Sequence, residues 1–182
     1  MIRRINFLGG ACSGKSTIAS YVFSKLRENK YSAEITGEFV KDWAYIGRKV
    51  TGFDNLITFS NQVYREELPL KNGVDLVVND SPITLGIVYA KLSSVGIEDS
   101  IHQISLEFEK RYPSVNIFLE RDGLDYEPKG RLNGLEFAEE IDRNILSYLD
   151  LNKIKYKSIK ASRKKKIYKY VIKQLNKRSL VC

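Results

Sequence analysis

One stretch near the start of the chain, Gly9-Gly10-Ala11-Cys12-Ser13-Gly14-Lys15-Ser16-Thr17, leaves few folds open. It fits the spacing G-x-x-x-x-G-K-[ST], with Gly9, Gly14, Lys15 and Ser16 at the fixed positions. That spacing matters because phosphate is held mainly by backbone. Glycines let the loop curl until successive N–H groups point inward at an anion. Lys15 can then reach the outer phosphate oxygens, and the Ser16 hydroxyl can ligate Mg²⁺. The neighbouring residues suit the motif. Ile5-Asn6-Phe7-Leu8 has the composition of a buried strand, and Ser16 to Glu28 has helical periodicity without Pro or Gly. A strand, a glycine loop and a helix N-terminus in that order make an anion site.

The rest of the chain continues the alternation. Short strands are expected at 33–36, 74–78, 115–119 and 155–159. Helices are expected at 38–46, at 54–68 with a stop at Pro69, at 83–92, 101–111, 135–149 and 163–177. Asp54 and either Asp99 or Ser100 are candidate helix caps, and Pro82 marks a turn or a first helical position. Alternation of this kind implies an α/β three-layer sandwich with a five-stranded parallel sheet covered on both faces. The 182 residues suit one domain spanning 1–182, with a lid at about 121–134 and a basic strand and helix over 153–182.

In such sheets the site lies beyond the carboxyl ends of the strands. Glu38 follows the second strand, with Lys41 and Asp42 one turn on. It can accept a proton from a hydroxyl or orient it, or be only a favourable acid in a helix's first turn. Asp80 sits in Asn79-Asp80-Ser81-Pro82, directly after a buried strand. An acid there needs a positive neighbour, and Mg²⁺ held with Ser16 is one; Asp80 can also act on the acceptor hydroxyl in place of Glu38, or be a plain turn-forming acid. Asp75, at the opposite strand end, has the position of a structural residue.

Arg121 and Arg131 bracket a polar stretch containing Gly123, Pro128 and Gly130. Cations brought over a transferring phosphoryl group lower its barrier, and a closing lid excludes water; an ordinary exposed loop also fits. Weaker signals are Asn61, Gln62, Tyr64 and Arg65 as an acceptor pocket or a solvated face, and Trp43 and Tyr45 as stacking or core residues. Ala161-Ser162 is a positional guess for an adenine contact, and His102 has no motif near it.

Charge is unevenly placed. Residues 153–182 hold twelve of the 30 Lys and Arg and no acid, so the remainder carries 18 basic against 22 acidic residues. Such a block either touches a polyanion or is a solvated helix. Cysteines at only 12 and 182, with a single His, argue against a disulfide framework and a zinc site. No apolar run has the length of a leader or a membrane span, so a cytoplasmic setting, the host's if the source is viral, is expected.

Taken together, Gly9–Thr17, Glu38-Phe-Val-Lys-Asp42, Asn79-Asp-Ser-Pro82 and Tyr126-x-Pro-x-Gly-Arg131 resemble a group of small P-loop kinases common in bacterial viruses. The similarity runs from about Ile5 to Ile159. Related sequences resemble nicotinamide riboside kinase domains, and some are kinases of 5-hydroxymethyluracil in DNA. The resemblance implies the strand order 2-3-1-4-5 and an ATP- and Mg²⁺-dependent transfer of the γ-phosphate to a nucleoside-type acceptor, with DNA as the expected partner. It implies roles for Lys15, Ser16, Glu38, Asp80, Arg121 and Arg131 that agree with the residue-level reading. A free nucleoside or nucleotide kinase, an NTP-hydrolysing enzyme on nucleic acid, and a nucleotide-binding subunit without catalysis remain the alternatives.

Overall fold

Alternate side chains of a strand point to opposite faces, and this chain uses both faces. The computed structural model describes residues 1–122 and 134–177. Its elements are β1 (Arg4–Leu8), α1 (Lys15–Glu28), β2 (Ala33–Thr36), α2 (Val40–Tyr45), α3 (Asp54–Lys71), β3 (Leu76–Asn79), α4 (Ile83–Ser93), α5 (Glu98–Arg111), β4 (Ser114–Glu120), α6 (Leu135–Leu151), β5 (Tyr156–Lys160) and α7 (Lys164–Lys177). The strands form one parallel sheet in the order β2-β3-β1-β4-β5, as expected. Ile5 and Phe7 pack with α1 and α7 on one face. On the other face Val77 packs under α3, α4 and α5, while Leu8 and Phe118 pack under α4 and α6. The result is a three-layer α/β sandwich.

The second face also carries polar side chains in strand register. Thr36 pairs with Asn79, Asn79 with Asn6, and Asn6 with Asn116. Their side chains hydrogen-bond in the same order, at 2.6, 2.7 and 2.9 Å. Asn6 and Asn79 are fully buried. In the sheet interior such groups are tolerated only when satisfied, and here each completes its neighbour.

Several boundaries differ from expectation. Helix α3 runs through Pro69 to Lys71. Pro69 lies in the last turn, where its missing N–H removes a single bond. The Asn72 N–H donates to the Pro69 carbonyl and its side chain to that of Leu68. Asp54 is the first helical residue rather than the cap, and its carboxylate reaches back to the Thr51 N–H, one half of a capping box. Asp99 and Ser100 lie inside α5, which starts after Ile97 without a side-chain cap; Glu98 and Asp99 instead supply negative charge to its first turn. Strand β3 begins at Leu76 because Val74 is spent closing the turn onto the Pro69 carbonyl. Pro82 is the residue before α4, extended, not its first residue.

Candidate active site

The P-loop joins β1 to α1 as its spacing requires. Gly10 is needed for close approach, since a Cβ there would sit 2.2 Å from the Ala138 carbonyl oxygen on α6. Cys12 takes φ 60, a left-handed conformation unusual for a side-chain-bearing residue. Ser13 is buried inside the loop, while Ala11, Gly14 and Lys15 are partly open to the cleft, and Ser16 and Thr17 are exposed. Lys15 Nζ donates to the Gly10 carbonyl at 2.7 Å. An incoming phosphate must draw it off that internal acceptor.

Ser16 and Asp80, 64 positions apart, meet at the carboxyl end of the sheet. Ser16 Oγ donates to Asp80 Oδ2 at 2.6 Å. Asp80 Oδ1 is buried without a hydrogen-bond partner. A bare carboxylate oxygen next to a hydroxyl is a hard-oxygen donor set of the kind Mg²⁺ takes. Ser81 Oγ is orphaned beside it.

These groups open into a cleft of about 770 Å³. Glu38 lines it from the link between β2 and α2, two residues before the helix, so it does not serve as a first-turn acid. Its carboxylate makes no hydrogen bond or ion pair among the described residues, and it is half-buried. Lys41 and Lys49 add cations at the same wall; nothing local to the sequence marks Lys49. The far wall is apolar, with Phe59, Leu85 and Tyr89. Gly86 on α4 lets the Phe59 ring approach, since a Cβ there would lie 2.8 Å from it.

Of the four residues suggested for an acceptor pocket, only Gln62 faces the cleft. It is buried, and its Nε2 lacks a well-formed hydrogen bond. Burial pushes up the Glu66 carboxyl, one helical turn on; Arg4, the Ile83 N–H and, least of all, the nearby Gln62 amide oppose that shift. Arg65 pairs with Asp42 at 3.3 Å, Asn61 donates to its own helix, and Tyr64 is solvated.

Arg121, just past β4, is tied to a residue the sequence reading did not select. Its Nε donates to Asp142 Oδ2 at 2.6 Å, and the Gly10 N–H donates to Asp142 Oδ1 at 2.5 Å. One α6 carboxylate thus holds both the root of the P-loop and the arginine. Arg121 Nη2 is buried and unpartnered. Arg131 and the Tyr126–Arg131 motif lie outside the described residues.

The remaining suggestions find structural partners. Trp43 is buried with the Arg48 guanidinium 3.7 Å from its ring centroid, whereas Tyr45 is exposed. Burial pushes the Tyr148 phenol up to about 12, and its hydroxyl shares a hydrogen bond of 2.7 Å with His102 Nδ1. Asp75 presents its carbonyl to Arg3 at the amino end of the sheet. Ser162 donates to Asp122, and that hydroxyl together with Lys160 holds the Asp122 carboxyl below its usual value. On α7, Lys164, Lys165, Lys166, Lys169 and Lys173 are exposed, and its first turn carries no acid.

Comparison with known proteins follows the geometry. A family model described as an AAA domain, AAA_28, matches residues 4–166. No curated protein sequence matches the chain significantly. Among solved structures, deoxyadenosine kinase from M. mycoides with products dCMP and a flexible dCDP bound is similar at 14% identity and a TM-score of 0.58. The same enzyme with bound dATP gives 15% and 0.56, and with bound dCTP 17% and 0.51. Each alignment covers 96% of this chain and 99% of the other. At these identities the likeness is one of fold. Among the described residues no helix is long and apolar enough to cross a membrane, and no group of three or more His, Cys, Asp or Glu could hold a metal ion. A Ser–Asp pair completed by phosphate and water oxygens, as Mg²⁺ prefers, falls outside that second pattern.

Proposed function

The chain belongs to the AAA_28 family of AAA domains, and from that premise we propose that it is an ATP-dependent kinase that phosphorylates a hydroxyl of a nucleoside-type acceptor. The observation that carries this is the Ser16–Asp80 hydrogen bond, with the bare Asp80 oxygen beside it, in the same cleft as Lys15 and Glu38. A loop used only for hydrolysis or switching needs no second, partly apolar wall; the cleft between Glu38 and Phe59 supplies room for an acceptor.

In this reading the backbone of Gly9–Thr17 cradles the phosphates. Lys15 leaves the Gly10 carbonyl and moves to the transferring group. Ser16 and Asp80 are the residues that would hold Mg²⁺, which supplies charge neutralisation on the phosphate oxygens. Glu38, uncommitted and half-buried, accepts the proton of the acceptor hydroxyl or orients it. Phe59 and Tyr89 offer faces for a base, and Gln62 offers an amide for its edge. Arg121 contributes to the phosphoryl group only if its Nη2 turns away from the wall of α6. Its bond to Asp142, which also holds the Gly10 N–H, equally suits a tether for the P-loop.

For the acceptor, two readings each have an observation behind them. The exposed, acid-free cations of β5 and α7 favour a base carried in DNA, such as 5-hydroxymethyluracil, which must be flipped out to reach the cleft. The cleft wall at Gln62 and Phe59 favours a free nucleoside. The test offers γ-labelled ATP and Mg²⁺ with 5-hydroxymethyluracil-containing DNA, ordinary DNA and a panel of free nucleosides including deoxyadenosine and nicotinamide riboside. Label on the modified DNA alone supports the first acceptor, label on a nucleoside the second. Hydrolysis with no labelled product on any acceptor would sink the kinase reading.

A further inference from the structure

The phosphate chemistry proposed above makes no use of Glu66, yet this residue is the centre of the most heavily bonded buried system in the described chain. It sits on α3, fully buried. Its Oε2 accepts from Arg4 Nη1 at 2.9 Å and from Asn79 Nδ2 at 3.0 Å; its Oε1 accepts from the Ile83 N–H at 2.7 Å. Asn79 and Ile83 are the two flanks of the Asp80-Ser81-Pro82 turn. Asn79 is in turn locked by Thr36 and Asn6, and Thr36 lies two residues before Glu38.

We propose that Glu66 is a positioning residue: by gripping both flanks of the turn that carries Asp80, it fixes the Asp80 carboxylate against Ser16. The inference rests on the kinase reading of Ser16 and Asp80. A buried ion pair is weak evidence of a stabilising role, since an apolar pair of similar volume commonly does as well. What an apolar pair cannot do is accept three hydrogen bonds from β1, β3 and the start of α4 at once. Arg4 provides its own control. Its other carboxylate partner, Glu109 at 2.5 Å, is nearly half exposed and bonds Ser114 at the amino end of β4, away from the cleft. Both acids serve the same cation, and only one of them touches the Asp80 turn.

The experiment compares wild type with Glu66→Gln, the apolar double variant Arg4→Met/Glu66→Met, and Glu109→Gln. ATP affinity is measured by calorimetry with Mg²⁺ and with EDTA, which needs no acceptor, and kcat and KM for ATP are measured on the acceptor found above. Melting curves verify folding; if Glu66→Gln does not fold, the double variant carries the test. The expected result is loss of most of the Mg²⁺-dependent gain in ATP affinity, and a kcat lower by about 10-fold or more, for both Glu66 variants. Their affinity in EDTA stays near wild type because the P-loop is untouched, their KM for ATP with Mg²⁺ rises along with the lost gain, and Glu109→Gln matches wild type throughout. A folded double variant with the wild-type Mg²⁺ gain and kcat would overturn the proposal. So would equal losses in Glu109→Gln, or failure of both Glu66 variants to fold, either of which assigns the network to general stability. Wild-type protein that binds no ATP at all would remove the kinase reading, and this inference with it, a result separable from the others.

Discussion

The two sides of the P-loop are built differently. Toward β2 and β3, the groups behind the cleft are buried and multiply bonded: Glu66 has three donors, and the Thr36–Asn79–Asn6–Asn116 ladder crosses four strands. Toward β5, the contacts are exposed and single. Lys160 reaches Asp122 at 3.4 Å, Ser162 bonds the same carboxylate, and the lysines of α7 face solvent. Hydrogen bonds in a dry interior hold geometry tightly, whereas exposed pairs are screened and contribute little. The residues proposed for chemistry, Ser16, Glu38 and Asp80, all stand on the rigid side. The side that carries the exposed lysines of α7 is the one held by exposed contacts.

The sharpest way to break this contrast is at the phosphate loop. Lys15→Ala is expected to lower kcat by about 10²–10³-fold or more, as removal of a preorganised cation does, with melting temperature unchanged; wild-type turnover would end the assignment. Asp80→Asn keeps an acceptor for Ser16 but removes the charge. Turnover should fall by about 10²-fold while stability holds or rises, because a bare buried carboxylate oxygen is relieved. Unchanged kinetics would make Asp80 a turn residue only.

Between the two sides stands Asp142. Asp142→Asn weakens two charge-assisted bonds in a mostly buried place and should cost about 1–3 kcal/mol in urea unfolding. If Arg121 must leave Asp142 to reach the phosphoryl group, kcat will not fall in proportion. The smallest effect belongs to the loose side. Asp122→Asn should move Tm by no more than about a degree. The sign is set by the depressed carboxyl value of Asp122: its contribution is present at neutral pH and fades as pH falls through that value. A large loss at neutral pH would erase the contrast.

Much of this was legible in the residues. The P-loop declared itself because phosphate binding imposes a fixed local spacing. The parallel sheet followed because strands alternating with helices are joined by crossover connections, while the order β2-β3-β1-β4-β5 matches the one the kinase resemblance implies. Glu38 and Asp80 were found because a polar residue just past a buried strand points to the site end. Element ends were read less well where local signals were overridden. Pro69 was tolerated in a final turn, and Asp99 and Ser100 were absorbed into α5. Gln62 was separated from Asn61, Tyr64 and Arg65 only by which helix face α3 turned to the cleft.

What the chain alone determined, then, was everything governed by short range: the phosphate loop, the alternation of strands and helices, and the positions of the acids at strand ends. Only the tertiary structure decided which distant side chains hold those acids in place. Arg4 and Glu66 are 62 positions apart, and Gly10 and Asp142 are 132 apart. Within its own helix, each of those acids looks like any other charged residue. A carboxylate becomes a clamp only when burial strips its water and leaves the few donors packed against it as its sole partners, and local sequence carries no record of that packing.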